Sequence, residues 1–202
     1  MTSKLSVQDQ FILTHIKEQY FNDSPILISE SIEGQEVSDT KVITLGLKAG
    51  PSYLVYNLLH EMSHLVEIED HRMTKPSWGL KYGNLIQIIL GQEYQNFTST
   101  QATEREIRVF AYQQHLLNHY QIESSLSDQA KLCTYLGDWA NVCYGDKLNH
   151  HDKAKALRWV EAQIFEKMKI YTLDRFNQEW DRKQIILKNL AIDELSNKYS
   201  SL

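Results

Sequence analysis

His60, Glu61 and His64 stand in the run Leu58-Leu59-His60-Glu61-Met62-Ser63-His64-Leu65-Val66, an HExxH pattern inside an apolar stretch. Residues i and i+4 project from the same face of a helix, so two imidazoles at this spacing can converge on one ion. Zinc accepts nitrogen ligands at about 2.0–2.1 Å, and its catalytic sites keep a position open for water. Glu61 lies one residue along, where its carboxylate can reach that water rather than the metal. The ion lowers the pKa of the water to about 7, and the glutamate takes its proton as general base. The chemistry expected is hydrolysis of a peptide bond, with the proton passed on to the leaving amine. Bare HExxH strings also arise by chance, so the flanking residues carry weight. Two histidines and an acid inside an apolar helix need partners or a metal to offset their desolvation. The plain alternative is a pair of hydrogen-bonded core histidines.

The arrangement resembles the compact gluzincin metallopeptidases and, among them, the ImmA/IrrE-like family. In those proteins a second helix bears a glutamate ligand within a pattern ExxA(N/D)xxA. The run Glu104-Arg105-Glu106-Ile107-Arg108-Val109-Phe110-Ala111 is similar. Glu104 fits the ligand place, and Phe110 and Ala111 fit the apolar positions six and seven residues later. Ile107 stands where alanine is usual and Arg108 where Asn or Asp is usual, a residue that supports the site by a hydrogen bond from behind the ligands. The resemblance covers about Val42 to Leu117. It implies a zincin-like core, zinc held by His60, His64 and Glu104, and a protein or peptide substrate. It also implies that an edge strand near Ile43 to Leu47 holds the substrate extended by β-augmentation.

Other residues compete for the third ligand place. Glu106 is close by but puts Phe110 and Ala111 out of step, and its plain reading is a solvated acid pairing with Arg105 or Arg108. Asp70 occupies the last place of the metzincin pattern HExxHxxGxxD. That pattern needs glycine three residues after the second histidine, where the chain doubles back; Glu67, a good helix former, stands there instead. Glu67 and His71 share a helix face with His64, yet a ligand farther along the same straight helix lies about 5 Å away along the axis. Glu67 therefore suits support of His60 or His64, or the lining of a cleft. Tyr112 and His115 are candidates to donate a hydrogen bond to a tetrahedral oxyanion. The plain reading of His115 and His119, in His115-Leu116-Leu117-Asn118-His119, is two exposed rings.

Competing chemistries find less support. Glu61 and His64 spell ExxH, but a di-iron bundle needs a second ExxH, and the chain has none. Ser63 is a helix residue outside any GxSxG turn, and no glycine-rich loop could cradle phosphate. Trp78 suits packing over the core better than a substrate pocket. Asn149, His150 and His151 read as a loop or cap before Asp152. Tyr112, Tyr120, Tyr135, Trp139 and Tyr144 read as core and interfacial packing.

The elements that must position the motif follow from patterning. Ser6 with Asp9 marks a helix start, followed by an apolar stripe of Phe11, Ile12, Ile16, Tyr20 and Phe21, with Asn22 and Asp23 as its end. Two β-branched runs, Ile26 to Ile28 and Val42 to Leu47, suit a small hairpin or sheet. Gly50 and Pro51 open the active helix, expected from about Pro51 to Asp70. Pro76, Ser77 and Gly79 mark a loop, and Leu85 to Leu90 is an apolar segment of either type. A further helix is expected from Ser99 or Thr100 to Tyr120. Beyond it Leu157, Val160, Ile164, Met168 and Tyr171 fall on one helix face.

The fold class is thus α+β and predominantly helical, a zincin-like core with a small sheet beside the active helix and a helical C-terminal portion. Residues 1–123 are expected to form that core and 124–202 a helical extension packed on it, or the two a single domain. The 202 residues are 42% hydrophobic and 23% charged, which suits an ordered chain with its own core. Lys and Arg number 9 against 15 acids up to Glu123, and 12 against 11 beyond it. Neither half offers the basic surface that a nucleic-acid backbone needs. Cys133 and Cys143 read as two buried thiols in a reducing compartment. The N-terminus lacks a signal-peptide core, and no apolar run approaches the roughly 20 residues of a membrane span. The expected location is cytoplasmic. A non-catalytic zinc protein, a regulator or inhibitor using the same scaffold to bind a protein partner, is the second reading.

Overall fold

In a computed structural model of the chain the described residues are 6–31, 36–37, 42–46, 52–70, 99–124 and 153–200. His71, Trp78, Leu85 to Leu90, Cys133, Tyr135, Trp139, Cys143, Tyr144 and Asn149 to His151 lie outside them. The described part is predominantly helical. In order come α1 (Val7–Ile16), β1 (Leu27–Ser31), β2 (Glu36–Val37), β3 (Val42–Gly46), α2 (Ser52–Glu67), α3 (Ser99–His119), α4 (Lys153–Met168) and α5 (Leu173–Ser200). None of these helices is long and apolar enough to cross a membrane. The chain divides into two compact units. One joins Met1–Tyr82 to Phe176–Leu202, and the other is Gly83–Arg175. Most of the last helix, from Phe176 on, falls in the same unit as the N-terminal part.

In the first unit α1 begins as its sequence dictates. Ser6 Oγ accepts from the Asp9 amide at 3.0 Å and donates to Asp9 Oδ2 at 2.6 Å, which satisfies an amide left over at the helix start. A π-helical turn, Lys17–Phe21, follows directly and ends at Asn22. The buried stripe is Ile12, Leu13, Ile16 and Tyr20. Phe11, expected within it, is 73% exposed, because it lies about 100° around the helix from Ile12, on the side away from Ile16. Tyr20 and Phe21 pack edge-on against Trp180 of α5, with ring centroids 5.4 and 5.2 Å apart. Polar atoms in this aromatic cluster are matched. Tyr20 Oη donates to Asn177 Oδ1 at 2.8 Å, and Trp180 Nε1 donates to the Tyr20 carbonyl at 3.2 Å. Burial, and then the nearby Asp181 charge, push the Tyr20 phenol up to about 12, so it stays a neutral donor.

The three strands form one sheet in the order β1-β3-β2. β1 runs parallel to β3, pairing Leu27 with Val42 through Ser31 with Gly46, and β2 runs antiparallel, pairing Val37 with Ile43. The two β-branched runs foreseen in the sequence are therefore parallel neighbours and make no hairpin. Parallel pairing needs a crossover, and β2 lies within that connection. β3 also corrects the expectation of an edge strand, since it is paired on both sides. α2 packs against β2, β3 and α1.

The second unit is built by apolar contact. Ile107 and Phe110 of α3 pack on Val160 and Ile164 of α4, with Met168 against them. These are the i, i+3 and i+4 spacings by which two amphipathic helices meet. Of the expected α4 stripe, Val160 and Ile164 are buried, and the Tyr171 ring meets that of Tyr112 edge-on at 5.2 Å.

Candidate metal centre

α2 is buried on every side along most of its length: Leu54, Val55 and all residues from Leu58 to Val66 are enclosed. Such a helix would ordinarily be apolar all round. Here His60, Glu61, Ser63 and His64 interrupt it. Ser63 needs nothing beyond the helix, because its hydroxyl donates to the Leu59 carbonyl at 2.8 Å. It is a helix residue, as its sequence position suggested.

The two histidines converge. His60 Nε2 and His64 Nε2 lie 3.1 Å apart, with the ring planes 87° to each other. Two ligands of a tetrahedral zinc with bonds of 2.0–2.1 Å are about 3.3 Å apart. The observed spacing is close to that value, and it also suits an N–H···N contact between the rings. The acid beside them adds the second half of the argument. His60, His64 and Glu106 each offer a ligand atom, and these atoms all lie within 4.8 Å of one another. All three are buried, with His60 the most accessible at 8% exposed. This buried group could hold a metal ion: two neutral imidazoles and a carboxylate form the donor set of known open zinc sites.

The acid that joins the pair is Glu106, whereas the sequence pattern favoured Glu104. Helix geometry explains the difference. Successive residues turn by about 100°, so Glu104 and Glu106 point to nearly opposite sides of α3. Glu104, Asn118 and His119 are exposed and Arg108 is half-buried, all on one face. Glu106, Val109, Phe110, Gln113 and Leu117 form the enclosed face. Glu106 is not the solvated acid of its plain reading, since it is 2% exposed.

The remaining candidates separate cleanly. Asp70 is engaged elsewhere: its carboxylate accepts from Lys183 Nζ at 2.7 Å and from Arg182. The Arg182 and then the Lys183 hydrogen bonds hold the Asp70 carboxyl below its usual value against the opposing effect of burial. Glu67 is half-buried at the end of α2. His115 Nε2 lies 2.9 Å from the Met168 carbonyl, so it carries the proton and caps the end of α4. It sits about 180° around α3 from Glu106 and does not share that face. Tyr112 is buried against Tyr171. His71 lies outside the described residues.

Gln113 and Lys183 were missed in the sequence. Gln113 is one heptad from Glu106, on the same face and fully buried; a polar pair seven residues apart within an otherwise apolar stripe was the available signal. Lys183 had none, being one lysine in a helix rich in charge. No family model matches this chain, and no curated protein or solved structure does either.

Proposed function

We propose that this protein is a zinc-dependent metallopeptidase of the zincin type, with His60, His64 and Glu106 as metal ligands and Glu61 as general base. The observation that carries this reading is the convergence of two imidazole nitrogens, 3.1 Å apart, with one buried carboxylate oxygen. Zinc, when bound, acidifies a water to a pKa of about 7 and polarises a carbonyl. The protein's own residues do the rest. His60 and His64 hold the ion from one helix face, and Glu106 contributes the negative charge. Glu61 is 2% exposed and directly follows His60. It removes the proton from the attacking water and delivers it to the departing amine. An extended peptide would add to the sheet at β1 or β2, since β3 is already paired on both sides. The family-like ligand choice of Glu104 is not carried forward.

The second reading, a zinc protein without catalysis that binds a protein partner, is favoured by one observation. His60, Glu61, His64 and Glu106 are all enclosed, and hydrolysis needs a site that a substrate can enter. One variant separates the readings. Glu61→Gln is expected to retain one zinc per chain and to lose chelator-sensitive cleavage of a random peptide library by about 100-fold or more. Zinc retention with unchanged cleavage would exclude Glu61 as base. Zinc without any cleavage by the wild type would favour the binding protein.

A further inference from the structure

Among the described residues Lys183 is the most deeply buried charge outside the metal centre, with a side chain only 1% exposed. It lies on α5, on the face that also buries Phe176, Trp180 and Leu187. Its ammonium donates to two acceptors, the Ile68 carbonyl and Asp70 Oδ1. Ile68 is the first residue beyond α2, and its amide donates to the His64 carbonyl at 3.0 Å. Two hydrogen bonds that share one residue, Ile68, therefore link Lys183 to the backbone of His64.

The placement has physical consequences. His64 is in the last turn of α2, and helix ends are where hydrogen bonds open first. The last carbonyls of a helix lack partners within it and carry partial negative charge. A cation there satisfies one carbonyl and complements the helix dipole, and more strongly when water is excluded. Arg182 binds the same Asp70 carboxylate and also Glu179, which fixes the acid that in turn fixes Lys183. Burial pushes the Lys183 ammonium below its ordinary value, while the hydrogen bond it donates to Asp70 opposes that shift. Holding a buried cation at this point costs stability, and an apolar side chain would avoid that cost.

We propose that Lys183 is a positioning residue for the metal centre: it clamps the end of α2 so that the His64 ring is held ready for an ion. The proposal rests on the metal-binding reading above. Ligands must be held within about 0.5 Å of the productive geometry, and groups that orient ligands typically change metal affinity by about 10–100-fold when removed.

The test uses the full chain and cobalt(II), whose visible absorption reports ligand geometry directly. Lys183→Met keeps the unbranched apolar stem of the side chain, one atom shorter, and removes its charge. Its folding is checked first by circular dichroism, and binding is measured well below its thermal midpoint. The folded variant is expected to bind cobalt about 10–100-fold more weakly than the wild type, with an altered absorption envelope. A folded Lys183→Met with wild-type affinity and spectrum overturns the proposal. If that variant does not fold, Asp70→Asn takes its place, since Asp70 is half exposed and its loss releases one end of the clamp. It is expected to show a smaller loss of affinity with the same spectral change, and an unchanged spectrum and affinity would overturn the proposal. A wild type that takes up no cobalt instead removes the metal-binding reading, and the clamp's purpose with it.

Discussion

α2 and α3 both carry histidines and acids, yet they dispose of them in opposite ways. α2 buries His60, Glu61 and His64 in a helix enclosed on all sides. α3 sorts its polar residues between two faces, sending Glu104 and His119 outward and Glu106 and Gln113 inward. The outward set keeps the helix compatible with water and needs no further explanation. The inward set carries a desolvation cost of a few kcal/mol for each group lacking compensation. Within that set Glu106, together with His60 and His64 of α2, forms a group that could hold a metal ion. The two helices also end differently. α2 is finished by a cation from α5, whereas α3 is finished by its own backbone: Gln121 turns to a positive φ of 54°, and the Ile122 amide reaches back to the Leu117 carbonyl at 2.9 Å.

The sharpest way to break this comparison is to neutralise one acid from each face of α3. Glu106→Gln should weaken zinc binding by more than about 100-fold, beyond the range for groups behind the ligands. Glu104→Gln should leave it unchanged. Equal effects in a zinc competition titration would erase the distinction between the faces.

The helix ends give smaller effects. Asp70→Asn should destabilise the protein by about 1–2 kcal/mol at neutral pH, the range for a hydrogen bond to a charged group at a half-exposed site. The Asp70 carboxyl is held below the ordinary carboxylate value of 3.8 in the folded chain, chiefly by the hydrogen bond from Arg182. Its contribution is therefore fully present above about pH 4 and is lost as pH falls through the lowered value. Urea unfolding of both proteins from pH 7 to pH 2 should show the difference shrinking only at the acid end. A difference that grew on acidification would contradict the pairing. Smallest of all, Gln121→Gly should stabilise by about 0.5–1 kcal/mol, because glycine adopts the left-handed region without penalty. A loss of stability would show that the Gln121 side chain contributes more than its backbone costs.

Local signals were legible wherever one stretch of chain decided the outcome. The Ser6 and Asp9 cap, α2 within a few residues of its ends, and the span of α3 could all be read from neighbouring residues. So could the pairing of His60 with His64, since i, i+4 spacing is a local property. The third acid was not legible in the same way. Glu104 and Glu106 differ by two residues, and only packing tells which face of α3 is enclosed. Strand order was not legible for a related reason: β1 and β3 have the composition of strands, but nothing local distinguishes a hairpin from a parallel pair with β2 on the far side. Lys183 was invisible because a lysine in a charged helix usually faces water. Its partners, Ile68 and Asp70, are more than a hundred residues away in sequence.

X-ray absorption at the zinc edge of the purified full-length protein tests the central claim most directly. The account predicts one zinc per chain, with two imidazole nitrogens and carboxylate oxygen at about 2.0–2.1 Å. A protein purified and reconstituted with zinc that holds none in stoichiometric amount, or whose zinc shows no imidazole scattering, would contradict it.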